Sequence, residues 1–303
     1  EVMDLAAVAH LTAIESRVPF INFFDGFRTS HEYQKIEAMD MEELRPLVDQ
    51  KALAEFRSRA MSPEHPIARG MAENPETFFA HREASNKYYR EIPGIVDKYM
   101  QAVSKITGRK YDLFSYYGAE DAEQLIICMG SVTEAAREAI DHLLQEGRKV
   151  GMISVHLFRP FSTKHLLAAV PKTVKRIAVL DRTKEPGAEG EPLYLDVKEA
   201  FYNHEDRPLI VGGRYGLGSA DTTPTMIISV YDNLSLPEPK NHFSLGIVDD
   251  VTFESLPLEK EQALGGKSIF EAKFFGLGAD GTVGANKNSI KIIGDNTDKY
   301  CQA

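Results

Sequence analysis

The order of apolar and polar positions predicts alternating strands and helices over the middle of the chain. After Asp121 the apolar runs QLIIC, VGMISV, RIAVLD and RPLIVGG each precede an amphipathic segment. Such runs are typical of buried strands, and apolar residues spaced three to four apart are typical of helices. Four successive strand–helix units predict an α/β fold, in which a parallel sheet carries helices on both faces. The functional loops of such a sheet follow the carboxyl ends of its strands.

Two of these helices carry local start signals. Ser131 and Glu134 form the S-x-x-E pattern of a capping box, in which each side chain accepts a backbone N–H of the first turn. Thr223 precedes Pro224, and proline suits the first turn because its missing N–H would be unpaired there. The sequence therefore predicts that helices begin at these two points.

The first 117 residues have a different pattern. Apolar residues at helical spacing from Leu5 to Leu11 predict a helix, and the run Val18–Phe24 predicts a buried strand. Charged helical segments follow from Met41 to Tyr117, and we expect prolines to break them, because proline interrupts the backbone ladder. These prolines are Pro63, Pro66, Pro75 and Pro93. The pattern predicts an incomplete α/β segment followed by a helical connector.

The stretch EAKFFGLGADGTVGANK near the end of the chain reads as a strand, a G-x-G-x-x-G loop and a helix. Its glycines are Gly276, Gly278 and Gly281, followed by the Thr282 hydroxyl and the Lys287 ammonium. Free N–H groups at a helix start bind phosphate, so a phosphate site is one interpretation. The other is a glycine turn needed only for tight packing. A nicotinamide dinucleotide site would need an acidic residue roughly 20 residues further on, close to the last residue of the sequence.

Charged side chains follow two of the predicted strands. Asp25 and Arg28 follow the first apolar run, and Asp181, Arg182 and Lys184 follow RIAVLD. Ligands of parallel sheets bind beyond the carboxyl ends of the strands, so these residues are a possible site or interface. The alternatives are mutual ion pairs and a solvated helix cap.

Composition narrows the class of protein. The 303 residues are 43% hydrophobic and carry a net charge of −10, a field that disfavours nucleic acid and membrane-surface partners. The two cysteines, Cys128 and Cys301, are too few for a disulfide framework or a metal cluster. This cysteine content favours a reducing, cytoplasmic setting, and no apolar run of about 18 residues argues for membrane insertion. The histidines are scattered without metal-ligand spacing, so we expect no bound metal. No complete catalytic constellation is present.

Six stretches nevertheless resemble pyruvate:ferredoxin (flavodoxin) oxidoreductase, and they occur in the order of that family. They are FINFFDGFRTSHE, ICMGSVTEAAREAI, GMISVHLFRPFS, LDRTKEPGAEGEPLYLDV, GGRYGLGSADTTP and FEAKFFGLGADGTVGANKNSIKIIGDNT. The resemblance implies an internal piece of a longer polypeptide. Residues 1–117 resemble the end of the thiamine-pyrimidine-side domain with a helical connector, and 118–236 resemble a transketolase C-terminal-like domain. A linker over 237–268 would lead to the start of a third domain, associated with coenzyme A, over 269–303.

The resemblance also implies a reaction for the parent enzyme. Members of this family convert pyruvate, coenzyme A and an oxidised carrier to acetyl-CoA, carbon dioxide and reduced ferredoxin or flavodoxin. The implied cofactors are thiamine diphosphate, Mg²⁺, [4Fe-4S] clusters and coenzyme A, and the implied partners are the rest of the polypeptide and a second copy in a homodimer. We expect the chain alone to hold no cofactor and to be inactive, because the family's G-D-G and Cys-x-x-Cys motifs are absent from it.

For the glycine loop, the resemblance implies a site for coenzyme A phosphates. The residues implied are Gly276, Gly278, Gly281, Thr282, Gly284, Asn286 and Lys287. Two other functional classes stay open: a non-catalytic scaffold that supports a dimer, and an oxidoreductase that binds a nicotinamide dinucleotide in this loop.

Overall fold

The structure is a computed structural model that describes residues 1–68, 70, 72–262, 264 and 269–303. The helices in chain order are α1 (Val2–Ser16), α2 (Arg28–His31), α3 (Met41–Leu44), α4 (Gln50–Ser58), α5 (Pro75–Ala84), α6 (Asn86–Thr107), α7 (Val132–Gln145), α8 (Thr163–Ala169), α9 (Pro192–Tyr202), α10 (Pro224–Ser235) and α11 (Thr282–Asn296). The strands are β1 (Phe114–Gly118), β2 (Gln124–Cys128), β3 (Val150–Val155), β4 (Arg176–Asp181), β5 (Leu209–Arg214) and β6 (Phe243–Ser244). Short 3₁₀ turns occur at Arg45–Leu47 and Leu217–Ser219. Among the helices described, none is long and apolar enough to cross a membrane.

The chain divides into two compact units. The first comprises Glu1–Phe23, Met39–Ser115 and Val155–Ala168. The second comprises Phe24–Ala38, Tyr116–Ser154 and Ala169–Ala303.

The first unit is built on the packing of α1 against α6. Val8 and Leu11 of α1 are buried, as are the apolar residues on one face of α6. Beside them the Asp4 carboxylate accepts hydrogen bonds from Arg109 Nε at 2.7 Å and from the Tyr111 hydroxyl at 2.6 Å. A buried carboxylate is tolerated when it is paired and hydrogen-bonded in this way.

The expectation that Pro93 interrupts the helical connector is wrong. Pro93 lies inside α6, which continues without a break for 22 residues. Proline removes one helical hydrogen bond and crowds the preceding turn. Burial of Ile92, Val96 and Met100 opposes that cost, and tertiary packing of an apolar face supplies most of a helix's stability. Pro75, by contrast, stands at the first position of α5, where a proline is favoured.

The predicted strand over Val18–Phe24 is also wrong. These residues, all within the described part of the chain, form neither a helix nor a strand. Ile21 is 85% exposed and Phe23 is 62% exposed. A strand needs a neighbour to satisfy its backbone groups, and no strand among the described residues pairs with this segment. An apolar run alone therefore does not make a strand.

Most of the predicted α/β sheet lies in the second unit, and only the first two residues of β1 and the last residue of β3 are assigned to the first. The described residues form six strands in the order β1-β3-β2-β4-β5-β6. The pairs β2–β3, β2–β4, β4–β5 and β5–β6 are all parallel. The four predicted strand–helix units are confirmed, because β2, β3, β4 and β5 are followed by α7, α8, α9 and α10.

Both faces of this sheet are covered. Successive residues of a strand point to opposite faces. Ile126, Met152 and Ala178 belong to one buried cluster together with apolar residues of α7 and α10. On the opposite face, a side chain on Gly212 of β5 would meet the ring of Tyr194 from α9. The prediction of helices on both faces is therefore confirmed, because α9 lies on one face and α7 and α10 lie on the other.

Two more local predictions have definite outcomes. Thr223 caps α10, because its hydroxyl accepts the N–H of Met226 at 3.3 Å. The predicted strand at AKFF is wrong, since residues 272–275 form neither helix nor strand. As with Val18–Phe24, no described strand lies alongside to pair with it. Phe275 is left 89% exposed.

Candidate functional site

The carboxyl edge of the parallel sheet brings together charged residues from distant parts of the chain. Strands β2, β4 and β5 end at Cys128, Asp181 and Arg214. Because these strands are parallel, the loops after them leave the sheet at the same edge. This edge therefore holds the Ser131, Arg182 and Gly216 regions side by side.

Asp25 reaches this edge and caps α7 from a distance of 106 residues. Its Oδ2 accepts the backbone N–H of Ser131 at 2.5 Å. Its Oδ1 lies 2.8 Å from Arg182 Nη1. The predicted capping box is wrong, because Ser131 itself has helical dihedral angles and makes no side-chain cap bond among the described residues. A carboxylate from another segment satisfies the helix start instead.

Arg182 fixes this carboxylate from the other side. Its Nε donates to the carbonyl oxygen of Gly216 at 2.9 Å, which orients the guanidinium toward Asp25. Burial alone would raise the pKa of Asp25, but hydrogen bonds from Ser131 and the charge of Arg182 outweigh burial and lower that pKa. Asp25 is therefore ionised at neutral pH and its two oxygens are committed to structural partners.

Gly130 makes room for the carboxylate. Its φ is +82°, a conformation that side chains other than glycine rarely adopt. A Cβ at this position would lie 2.7 Å from Asp25 Oδ2. Both the dihedral angle and the close approach require glycine here.

Asp181 plays a similar part for α9. Its two carboxylate oxygens accept the N–H groups of Leu193 at 3.0 Å and Tyr194 at 3.1 Å. Asp181 is 5% exposed. Burial raises the pKa of Asp181 to about 6, although the two N–H groups act in the opposite direction. The side chain points into the fold as a helix cap.

The other two charged residues of this group lie apart from that arrangement. Lys184 lines a separate polar cavity with Glu191 and Arg214. Arg28 begins α2, and its side chain lies outside the described part of the chain. The structure thus brings Asp25, Arg182 and Asp181 to one edge, and the prediction that all five residues form a site or interface stays a prediction.

The glycine loop stands before α11, and its N–H groups converge on a carboxylate of the loop itself. Asp280 Oδ2 accepts the N–H of Leu277 at 2.8 Å, and Oδ1 accepts the N–H of Thr282 at 3.0 Å. Hydrogen bonds with Thr282 and with Leu277 lower the pKa of Asp280 to about 2. Gly278 and Gly281 have positive φ angles of 125° and 87°. The turn thus presents N–H groups to an anion, and that anion is Asp280.

The other residues predicted for the phosphate site lie around this turn, and each has different surroundings. Lys287 Nζ donates to the carbonyl oxygen of His31 at 2.9 Å and lies 4.6 Å from the centre of the Tyr33 ring. Gly276 lies against Thr282, since a Cβ there would be 2.8 Å from its hydroxyl. Gly284 and Asn286 belong to the first turns of α11, none of whose described residues is buried. The loop is open to solvent.

Two protein-family models match the chain in succession. Residues 1–101 match the model described as pyruvate flavodoxin/ferredoxin oxidoreductase, thiamine diphosphate-binding. Residues 122–227 match the core domain II of pyruvate:ferredoxin oxidoreductase. The pyruvate-flavodoxin oxidoreductase of Enterobacter agglomerans is 59% identical over 304 residues, which cover 100% of this chain.

The chain belongs to the pyruvate:ferredoxin (flavodoxin) oxidoreductase family.

Other members of the family agree. Pyruvate-flavodoxin oxidoreductase of Klebsiella pneumoniae is 59% identical and pyruvate:ferredoxin oxidoreductase of Moorella thermoacetica is 56% identical, each across 100% of this chain. The chain spans about a quarter of the length of these curated relatives, 26% in each case. A solved 2-oxoglutarate:ferredoxin oxidoreductase from Magnetococcus marinus aligns with 71% of this chain at 18% identity. The aligned part is 32% of the solved chain. Its TM-score is 0.38, which supports no further statement.

The ligand sets expected for this family's metal cofactors are not found among the described residues. There, no group of three or more His, Cys, Asp or Glu side chains is placed to hold a metal ion. The chain has two cysteines, and burial raises the pKa of Cys128 to about 12. Since a cluster needs several thiolates, the described residues do not fit an iron–sulfur centre.

Some residues that shape these sites carried no usable signal in the sequence. The cap by Asp25 joins residues 106 positions apart, so no local motif marks it. Asp280 differs, because Asp-Gly is a turn signal and Asp side chains accept the N–H two residues on. The sequence therefore contained a turn signal at Asp280 and Gly281. It marks the carboxylate that would compete with a phosphate for the N–H groups of the loop.

Proposed function

We propose that this chain is part of an enzyme that oxidises pyruvate in the presence of coenzyme A, giving acetyl-CoA, carbon dioxide and reduced ferredoxin or flavodoxin. The observation that carries the proposal is 59% identity to a pyruvate-flavodoxin oxidoreductase across the whole chain. Similarity at this level extends through both units rather than through one widespread module. The activity belongs to the whole enzyme, of which the chain supplies about a quarter.

The cofactors of the whole enzyme are proposed on the same ground. Thiamine diphosphate with Mg²⁺ supplies the decarboxylation chemistry when bound, and [4Fe-4S] clusters carry electrons to the acceptor. Because the described residues hold no cluster ligand set, we place the clusters in other parts of the polypeptide. The role of this chain is to bind and position.

We propose that the glycine loop holds the phosphates of coenzyme A in the whole enzyme. The residues assigned to it are Gly276, Gly278, Gly281, Thr282, Gly284, Asn286 and Lys287. Support comes from α11, whose 15 residues begin at Thr282, where one N–H group already donates to a carboxylate. A helix start of this kind favours anions. To bind phosphate, the loop must exchange Asp280 for the ligand, and Lys287 must release the His31 carbonyl oxygen.

The sheet unit is assigned a different role. We propose residues 118–236 as the transketolase C-terminal-like domain. Residues 1–117 would form the end of the preceding domain with its helical connector, 237–268 a linker, and 269–303 the start of a third domain. At its carboxyl edge, Asp25, Arg182 and Asp181 all have protein partners. We infer that this domain stabilises the assembly, including a homodimer, and positions the glycine loop.

A segment exchange tests the proposed function. The aligned segment of the Enterobacter agglomerans enzyme would be replaced by this chain, and flavodoxin reduction measured with pyruvate and coenzyme A. We expect activity that requires both compounds and is within roughly tenfold of the parent enzyme. A control lacking coenzyme A must be inactive. A folded exchange protein that retains its cluster absorbance but reduces flavodoxin with neither compound would contradict the proposal.

A further inference from the structure

A polar cavity of about 260 Å³ lies in the second unit, lined by residues other than Asp25, Arg182, Asp181 and the glycine loop. Its wall is formed by the loop between β4 and α9, by the end of β5, and by residues near β6. The charged lining residues are Lys184, Glu185, Glu189, Glu191, Arg214 and Glu254. The volume is several times the roughly 30 Å³ that one water molecule occupies in the liquid, so the cavity has room for a small organic group.

Glu191 is the residue that points to a ligand. It is 3% exposed, and it stands immediately before the first residue of α9. Its Oε2 is buried and has no hydrogen-bond partner among the described residues. A buried carboxylate oxygen left unpaired costs free energy, so such a group in a cavity calls for an N–H or O–H donor.

Arg214 does not meet this need. Its Nη2 donates to the His242 carbonyl oxygen at 2.7 Å and to Glu254 Oε2 at 2.5 Å. Its Nη1 lies 3.5 Å from Glu191 Oε1, on the other oxygen of that carboxylate. One cation is therefore shared between two carboxylates. With Lys184, Glu185 and Glu189 included, the lining carries two more negative charges than positive ones.

We propose that this cavity binds an organic cation with N–H donors, an ammonium or guanidinium group, through the carboxylate of Glu191, whose Oε2 has no partner among the described residues. The excess negative charge disfavours anions, and an N–H donor would satisfy the unpaired oxygen while neutralising its charge. A metal ion is a poorer match, because the described residues provide no group of three ligating side chains. The inference does not depend on the proposed enzyme activity.

Binding of methylguanidine to the 303-residue chain tests the proposal, with methylurea as the neutral compound of similar shape. Saturation-transfer NMR would measure both affinities. We expect methylguanidine to bind one site at least tenfold more tightly than methylurea. Glu191→Gln should abolish this preference, whereas Glu199→Gln should leave it unchanged, because Glu199 is exposed on the same helix. Equal binding of the two compounds, or an unchanged preference in Glu191→Gln, would overturn the proposal.

A second variant keeps the test decisive if Glu191→Gln does not fold by circular dichroism. In Glu254→Gln, Arg214 is freed to pair with Glu191, so methylguanidine affinity should fall at least threefold. An unchanged affinity in that variant would refute the assignment.

The cation has two sources with the same chemistry, a free small molecule or a Lys or Arg side chain of a second copy. Sedimentation with and without methylguanidine distinguishes them. If a second copy supplies the cation, methylguanidine will dissociate a dimer. If the cation is free, the mass of the chain will not respond.

Discussion

Three helices of the second unit begin beside a carboxylate, but the sheet edge and the glycine loop use this arrangement differently. At the sheet edge Asp25 caps α7 and Asp181 caps α9, and both side chains are largely withdrawn from water. In the loop Asp280 caps α11 while fully exposed, from only two residues away. The same helix-start chemistry therefore gives a buried cap with fixed partners in one region and an exposed cap in the other, which we propose a ligand can replace.

The difference follows from what each carboxylate would leave behind. Removing Asp25 would leave Arg182 and the Ser131 N–H without their partner in a largely buried place, which is costly. Releasing Asp280 returns an exposed carboxylate to water at little cost, and another anion can take the two N–H groups.

Loss of the buried cap should cause the largest change in stability. Asp25→Ala is expected to lower the free energy of unfolding by about 3 kcal/mol, since it removes a helix cap and one partner of a partly buried ion pair. Urea unfolding followed by circular dichroism measures this. The matched variant is Asp280→Ala, which removes the exposed cap of α11 and should leave the urea midpoint unchanged. Equal losses in the two variants would abolish the contrast.

Substitution of Gly130 can separate the cost of steric crowding from the cost of backbone strain. Gly130→Ala should destabilise the chain by about 1–2 kcal/mol more than Gly147→Ala, because only at position 130 does the new methyl group crowd Asp25. Gly147 follows the other end of α7, has a φ of +80° and has open space around its Cβ position. Both variants share the cost of a positive φ, so the difference in unfolding free energy reports the contact. No difference would mean that Asp25 moves aside freely.

The buried cap of α9 predicts a pH dependence with an unusual sign. The pKa of Asp181 is raised to about 6 in the folded chain and is about 3.9 in an unfolded chain. Between these values the folded state binds more protons, so the free energy of unfolding should fall as pH rises from about 4 to 6, by up to about 2 kcal/mol. Comparing wild type with Asp181→Asn at each pH isolates this contribution. A constant difference between them would contradict the raised pKa.

The parts of the fold that rest on nearby residues were predictable from the sequence. Strands β2 to β5 follow from their apolar runs, and the Thr223 cap of α10 follows from the adjacent pair Thr223–Pro224. Parallel pairing also follows, because each strand is separated from the next by a helix.

The parts that depend on distant residues were not predictable in the same way. The run Val18–Phe24 has the composition of a strand but no partner among the described residues, and composition does not supply one. The capping box predicted at Ser131 does not form, because Asp25, which is far away in the sequence, accepts the N–H group at the start of α7. Pro93 does not break α6, because the packing of α6 against α1 outweighs the loss of one helical hydrogen bond. For the candidate site, local glycine spacing marked the loop and Asp280–Gly281 carried a turn signal, but the geometry was needed to show that Asp280 accepts N–H groups of the loop.

Lys287 gives the smallest expected effect. Lys287→Ala should weaken coenzyme A binding roughly threefold, since exposed charge pairs are worth about 0.2–1 kcal/mol. Calorimetric titration measures the affinity. Lys291→Ala is the matched control, because Lys291 lies over the same Tyr33 ring at 5.1 Å but outside the proposed phosphate site. If the control weakens binding as much as Lys287→Ala does, Lys287 has no specific role in holding the ligand.

The most direct test of the exchangeable cap is a calorimetric titration of coenzyme A into wild type, Asp280→Asn and Asp280→Ala, with NADPH as a second ligand. We expect weak coenzyme A binding to wild type, tighter binding to Asp280→Asn and the tightest to Asp280→Ala, because the internal anion loses first its charge and then its hydrogen bonds. NADPH should bind none of them more tightly than coenzyme A. Binding that weakens in Asp280→Ala, or that is absent from all three proteins, would contradict an exchangeable cap at Asp280.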